Sequence, residues 1–133
     1  MILEHIAIWT HKLELLRSFY EKYFDGQSNQ KYVNPEKKFA SYFLTFDSGS
    51  RLELMQMQGV PEVYRDIEQQ FTGFIHMAFE TASIAEVDAL TGRLRQDGYR
   101  VIGEPRTTGD GYYESVVLDP DENRVEITYQ LPQ

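Results

Sequence analysis

An α+β fold built from two βαβββ modules is what this sequence predicts, and three observations carry the expectation. A histidine opens an apolar, strand-like run twice, in Leu3-Glu4-His5-Ile6-Ala7-Ile8 and in Phe74-Ile75-His76-Met77-Ala78-Phe79. An Asp-Gly stop follows each, Asp25-Gly26 and Asp97-Gly98, after a stretch with helical spacing of apolar residues. Each half then closes on Arg-apolar-Glu-apolar, Arg51-Leu52-Glu53-Leu54 and Arg124-Val125-Glu126-Ile127, so that His and Glu stand 48 residues apart in one half and 50 in the other. Landmarks matched in order are hard to attribute to chance. A single module leaves one sheet face unpacked, so two packed together are expected.

Taken in order, residues 2–9 alternate, with Ile2, Ile6 and Ile8 on one side and Leu3, His5, Ala7 and Trp9 on the other. A helix is expected over 11–24, capped by Thr10, with Leu13, Leu16, Tyr20 and Tyr23 or Phe24 on its apolar face. Gly26 is expected to end it in the left-handed conformation. Residues 28–34 read as a polar edge strand, Asn34-Pro35-Glu36-Lys37 as a turn, Phe39–Phe46 as a strand, Asp47-Ser48-Gly49 as a turn and Arg51–Met57 as the closing strand. The first module thus spans 1–58. A connector over 59–72 includes a short helical turn between Glu62 and Gln70.

The second module, 73–131, repeats the pattern. Phe74–Glu80 reads as a strand. Ser83 and Glu86 fit a capping box, and Ile84, Val87, Leu90 and Leu94 form the buried helix face. Then come a strand over Tyr99–Ile102, a loop over Gly103–Gly111, a strand over Tyr112–Leu118, the turn Asp119-Pro120-Asp121-Glu122-Asn123, and a last strand over Arg124–Gln130. The 133 residues form one domain of these two modules.

Composition narrows the function classes. With 41% hydrophobic and 14% aromatic residues the chain can bury a core, and a net charge of −8 argues against a phosphate-backbone partner. No stretch approaches the roughly 20 apolar residues of a membrane span. Residues 1–5 lack the basic and apolar regions of a secretory signal, so a cytoplasmic location is expected. There is no cysteine, so a metal would be held by nitrogen and oxygen alone.

Strand alternation places Leu52 and Leu54, Val125 and Ile127, and Ile75 and Met77 on faces opposite Glu53, Glu126 and His76. If the helices cover the aliphatic faces, His5, Glu53, His76 and Glu126 all lie on the other. A carboxylate between two leucines costs several kcal/mol of desolvation unless neutralised. One divalent ion bound by two imidazoles and two carboxylates removes that cost. Zn²⁺, Ni²⁺, Mn²⁺, Fe²⁺ and Co²⁺ all suit such a set. A lone His is more simply a hydrogen-bonded structural residue, and a lone strand Glu a solvent-facing one; the phased quartet is what favours a metal. His11 has no counterpart in the second half and reads as surface. Trp9, Met55 and Met57 read as pocket lining, and Phe39, Tyr42, Tyr112 and Tyr113 as core or pocket walls.

Glu4-His5-Ile6-Ala7-Ile8, Ser18-Phe19-Tyr20, Arg51-Leu52-Glu53-Leu54, Phe74-Ile75-His76-Met77-Ala78-Phe79 and Asp119-Pro120-Asp121-Glu122-Asn123-Arg124-Val125-Glu126-Ile127 together resemble the vicinal oxygen chelate superfamily, the glyoxalase/bleomycin-resistance/dioxygenase group. The resemblance covers essentially the whole chain, with Glu122 where the family's closing motif usually has Gly. It implies a U-shaped mixed sheet around one divalent metal, and often a homodimer. His-Glu-His-Glu is similar to the glyoxalase I ligand set, which implies a metal-dependent lyase or isomerase acting on a small-molecule carbonyl substrate. Glu126, with Glu53 as its counterpart, is then the implied base for the proton α to the carbonyl. Trp9 and Met57 stand where many bacterial glyoxalase I sequences place Arg and Asn against glutathione, which points to a different carbonyl or hydroxy-carbonyl substrate. The alternatives are another metal enzyme of the superfamily, such as a dioxygenase or epimerase, and a non-catalytic small-molecule binding or resistance protein.

Overall fold

Alternation over residues 5–9 becomes a strand, β1 (His5–Trp9), and the first helical stretch becomes α1 (Leu13–Phe24). The computed structural model describes all 133 residues, in two units, Met1–Arg65 and Asp66–Gln133. In the first unit β2 (Gln27–Ser28), β3 (Tyr32–Asn34), β4 (Phe39–Thr45) and β5 (Arg51–Met57) complete a sheet of order β1-β5-β4-β2, with β3 also on β4. β1 runs parallel to β5, and the other pairs are antiparallel. In the second unit β6 (His76–Glu80), α2 (Ile84–Gln96), β7 (Val101–Thr107), β8 (Tyr112–Leu118) and β9 (Arg124–Gln130) give the order β6-β9-β8-β7, again with the first and last strands parallel. Both units are therefore βαβββ in plan, with the edge strand expected over 28–34 split in the first unit into β2 and β3, both paired with β4. No helix is long and apolar enough to cross a membrane.

Each helix packs on one face of its own sheet. Leu16 and Tyr20 of α1 are fully buried with Leu44, Leu52 and Leu54. Val87 and Leu94 of α2 are fully buried with Val117, Val125 and Ile127. The aliphatic sides of β5 and β9 thus face the helices, as the alternation requires. The face of α2 differs from expectation: Ile84 is exposed, whereas Thr91 is buried. Thr91 is tolerated there because its hydroxyl donates back to Val87 O at 2.6 Å and meets Ser115 Oγ at 2.7 Å, satisfying both polar groups.

Several boundaries are corrected. α1 begins at Leu13, with Lys12 at the N-cap and no side-chain cap. Thr10 Oγ1 instead accepts from Lys12 N in a tight local turn. At the other end Asp25, not Gly26, takes the left-handed conformation, at φ 57°. Gly26 is required for space: a Cβ there would lie 2.9 Å from Leu44 Cδ2 and 3.2 Å from Tyr20 O. In α2 the stop falls as expected, with Gly98 at φ 94°. Ser83 Oγ accepts from Glu86 N, but Glu86 reaches back to Ala82 N rather than to Ser83 N.

No helical turn forms over 62–70. Asp66 folds the chain into a tight turn through Glu68 N and Gln69 N, and Arg124 Nη2 takes the carbonyls of Ile67 and Gln69. Phe74 and Ile75 precede β6, which opens at His76. The expected loop over Gly103–Gly111 is largely strand, since β7 continues to Thr107 through Pro105. Proline survives because β7 is the sheet edge and its pairing with β8 is irregular on either side of Gly103.

Candidate metal centre

Strand geometry brings the four predicted ligands together as two pairs, one in each unit. His5 opens β1 and Glu53 lies in β5, where the parallel register sets Ala7 opposite Glu53 and His5 opposite Arg51. His5 Nε2 stands 3.7 Å from Glu53 Oε1, with the two side chains 40% and 17% exposed. In the second unit Ala78 is opposite Glu126 and His76 opposite Arg124. His76 Nε2 stands 3.3 Å from Glu126 Oε2, with the side chains 39% and 14% exposed. No group of three or more His, Asp or Glu side chains able to hold an ion is formed. The repeat seen in sequence is thus a repeat in local geometry: an accessible imidazole beside a mostly buried carboxylate.

The surroundings of the two pairs differ. Glu4 faces the other ring nitrogen of His5, Nδ1, at 3.4 Å, and Arg51 holds the Glu4 carboxylate with two nitrogens, Nε at 2.9 Å and Nη2 closer still. The hydrogen bonds from Arg51 keep the Glu4 carboxyl below the usual carboxylate range, against the opposing effect of desolvation. Arg51, stacked 4.1 Å over the Phe43 ring, therefore fixes Glu4, and Glu4 orients His5. Ile75 occupies the position of Glu4 in the second unit, and Arg124 that of Arg51. Freed of a carboxylate there, Arg124 is buried, bonded to the backbone of Ile67 and Gln69, and lies over the Phe71 ring.

Glu126 carries a neighbour that alternation alone does not reveal. Burial pushes its carboxyl up to about 7, reinforced by a hydrogen bond with Glu114 and by that group's charge; Arg106 opposes the shift. Glu114 stands on β8 opposite Thr128, so it shares the face of Glu126, and Arg106 Nη1 lies 3.5 Å from it. Thr128 Oγ1, two residues along the same face, is buried without a hydrogen-bond partner. A second carboxylate within a strand, Tyr112-Tyr113-Glu114-Ser115-Val116, was the signal available for Glu114.

Of the other predicted residues, Trp9, Met55 and Met57 lie on the face of β1 and β5 that bears His5 and Glu53. Phe39 joins them opposite Met57. Tyr42 is core on the helix side, its hydroxyl donating to Glu14 at 2.9 Å. Tyr113 likewise reaches α2, donating to Asp88 at 2.7 Å. Tyr112 lies on the Glu114 face of β8. His11 is exposed, and its Nε2 sits 2.6 Å from Val60 O, tying down the end of the first unit.

The donor set fits a divalent cation. Two ligands each about 2.1 Å from one ion, at an octahedral or tetrahedral angle, stand about 3.0–3.4 Å apart. The His76–Glu126 separation falls in that range and the His5–Glu53 separation just outside it. Both histidines present Nε2 to the carboxylate, leaving Nδ1 for orientation, as metal-ligating imidazoles do.

The sequence profile of the Glyoxalase/Bleomycin resistance protein/Dioxygenase superfamily matches residues 2–127. An uncharacterized protein of Bacillus subtilis, YqjT, is 27% identical over 128 residues, covering 94% of this chain and 96% of that one. Among solved structures, glyoxalase I from Zea mays superposes with a TM-score of 0.78 at 23% identity, covering 99% of this chain but 46% of the maize chain. This chain therefore spans about half the length of that protein. The trypanothione-dependent glyoxalase I of Leishmania major superposes with a TM-score of 0.75 at 21% identity, covering 97% and 86% of the two chains.

Proposed function

Because the chain belongs to the glyoxalase/bleomycin resistance protein/dioxygenase superfamily, we propose that it is a divalent-metal-dependent lyase or isomerase of glyoxalase type. In this reading it moves a proton α to a carbonyl, and its working state is a homodimer. The observation that supports it most is the doubled pair, an imidazole Nε2 set 3.7 Å and 3.3 Å from a glutamate oxygen. His5, Glu53, His76 and Glu126 are the residues that hold the ion. When bound, the ion supplies Lewis-acid polarisation of a carbonyl.

The remaining chemistry belongs to the protein. The Glu126 carboxylate, through an oxygen not engaged by the ion, would accept the proton α to the carbonyl and return it, to the neighbouring carbon in an isomerisation or to the same carbon in an epimerisation. Without metal, burial and Glu114 raise its proton affinity above that of a surface glutamate. Glu53 is its counterpart in the first unit. Arg51 and Glu4 keep the His5 ring from rotating, so that Nε2 remains beside Glu53. Glu114 and Arg106 set the charge around Glu126. Trp9 and Met57 supply apolar surface at positions where a glutathione-binding wall needs polar groups, so the substrate is a carbonyl or hydroxy-carbonyl compound without a peptide thiol.

The test is exchange of the α-proton with solvent. In D₂O, metal-loaded protein should incorporate deuterium next to the carbonyl of an α-hydroxy ketone, followed by proton NMR. Glu126→Gln should lower the exchange rate about a hundredfold or more while the protein still takes up metal. Undiminished exchange in that variant removes Glu126 as the base. Absence of exchange with every carbonyl probe, together with metal-independent ligand binding, identifies a binding protein instead.

A further inference from the structure

The first unit presents a continuous aromatic and thioether surface beside the His5–Glu53 pair. The register of β1, β5, β4 and β3 fixes it. One row across the sheet carries Trp9, Met55, Ser41 and Tyr32, and the next carries Met57, Phe39 and Asn34. Residues directly opposite in such pairs project to the same face, and alternation puts that face opposite the buried Leu52 and Leu54. The rings touch across the rows. Trp9 meets Phe39 edge-on at 6.0 Å between centroids, and Tyr32 meets Phe39 at 6.0 Å with a tilt of 60°.

These aromatics are not spent on the core. Trp9 is 44% exposed and Tyr32 53% exposed, whereas Tyr20 and Phe19 of α1 are almost wholly buried. Neither row carries a Lys, Arg, His, Asp or Glu side chain that could pair with a charge; His5, Glu53 and Arg51, the polar groups of this face at and beside the pair, all stand at one end. The Trp9–Met55 row lies about 6.6 Å along the strands from the Glu53 row, one pleat repeat. A small molecule whose oxygens sit at Glu53 therefore lays its next few heavy atoms on Met55 and Trp9. Edge-on rings and a polarisable sulfur favour a flat π-system over a flexible aliphatic chain. A peptide-like cosubstrate finds no ionic partner along these rows.

We infer that this surface is the substrate subsite for an aromatic ring: the preferred substrate class is an aryl carbonyl compound with two neighbouring oxygens, its ring on Trp9, Met55 and Phe39 and its oxygens toward Glu53. The inference rests on the carbonyl chemistry proposed above and adds the class of substrate to it. Phe39, and not only the residues at the His5–Glu53 end, determines specificity.

Calorimetric titration of the Zn²⁺-loaded protein with 2-hydroxyacetophenone and with hydroxyacetone compares an aryl with a methyl group on the same pair of oxygens. The aryl probe should bind at least about tenfold more tightly. Trp9 is the only tryptophan, so its fluorescence should be quenched by that probe in proportion to occupancy. Phe39→Ala and Met55→Ala, each made separately in case one fails to fold, should reduce the aryl-to-methyl preference to about threefold or less. Equal affinities in the wild type, or a preference that survives both substitutions, overturns the inference and leaves the metal chemistry standing. So does a Trp9 that neither acrylamide nor the probe can quench, which means that protein, such as a second copy of the chain, covers the face. An aryl preference in protein that takes up no divalent ion and exchanges no α-proton sustains the aromatic subsite and removes the catalytic reading.

Discussion

Glu126 is the residue on which physical chemistry makes the sharpest demand. Its folded carboxyl holds a proton up to about 7, against an ordinary value of 4.5, because burial and Glu114 disfavour the charge. The folded state therefore binds more protons than the unfolded state between those two values. Metal-free protein should lose thermal stability as pH rises from about 4.5 to about 7, relative to Glu126→Gln. A divalent ion should abolish that difference by pairing the charge. Thermal melts of both proteins across this range, with and without Zn²⁺, measure it; parallel curves without metal contradict it. Glu14 shifts the opposite way, lowered first by its hydrogen bond with Lys31, so its contribution changes below this window. Glu4 makes a second demand at the same scale. If it orients His5 through Nδ1, Glu4→Gln should weaken metal binding about tenfold to a hundredfold while leaving all the proposed ligands in place, as competition with a chelating dye will report. That each His shares a sheet face with its Glu was legible in the sequence because alternation fixes faces. The Arg51–Glu4–His5 chain and the Glu114 neighbour were not, because side-chain partners across strands depend on register.

Among the elements, the turns were harder to read than the strands. An Asp-Gly pair marks a helix end, but residue type does not say which of the two takes the left-handed conformation. Asp25 does in the first unit and Gly98 in the second. Short polar side chains tolerate that region, so Asp25 fills it and Gly26 is left to serve packing. Gly26→Ala should therefore destabilise the fold by about 1–3 kcal/mol through the clash with buried Leu44, measured by urea unfolding. A neutral effect contradicts that role. The β8–β9 turn offers the converse case. Asp119 accepts from Asp121 N and Asn123 N, and Glu122 is forced to φ 63°. Glu122→Gly should stabilise by about 1 kcal/mol, the cost of a left-handed conformation at a residue with a Cβ. The short helical turn expected between Glu62 and Gln70 is absent for a long-range reason, since Arg124 takes the carbonyls of Ile67 and Gln69 from a strand more than fifty residues away. Pro105 misled for a related one: only the sheet order shows β7 to be an edge.

For the whole molecule, the repeat in the sequence proved to be a repeat in structure. Two βαβββ units each bury an aliphatic sheet face under a helix and leave a His–Glu pair on the other face. That much follows from period-2 and period-3.6 patterns, which report burial directly. The joint use of both pairs does not follow from them, since periodicity within a strand says nothing about whether two pairs share one ion. Joint use would make one centre of the two pairs. It is tested most directly by metal content, measured by inductively coupled plasma mass spectrometry on untagged protein beside His5→Ala and His76→Ala. About one divalent ion per pair of units is expected, and loss of that ion from either variant although each retains the other pair intact. Protein that neither carries nor takes up a divalent ion, or variants that each keep full stoichiometry, would contradict it.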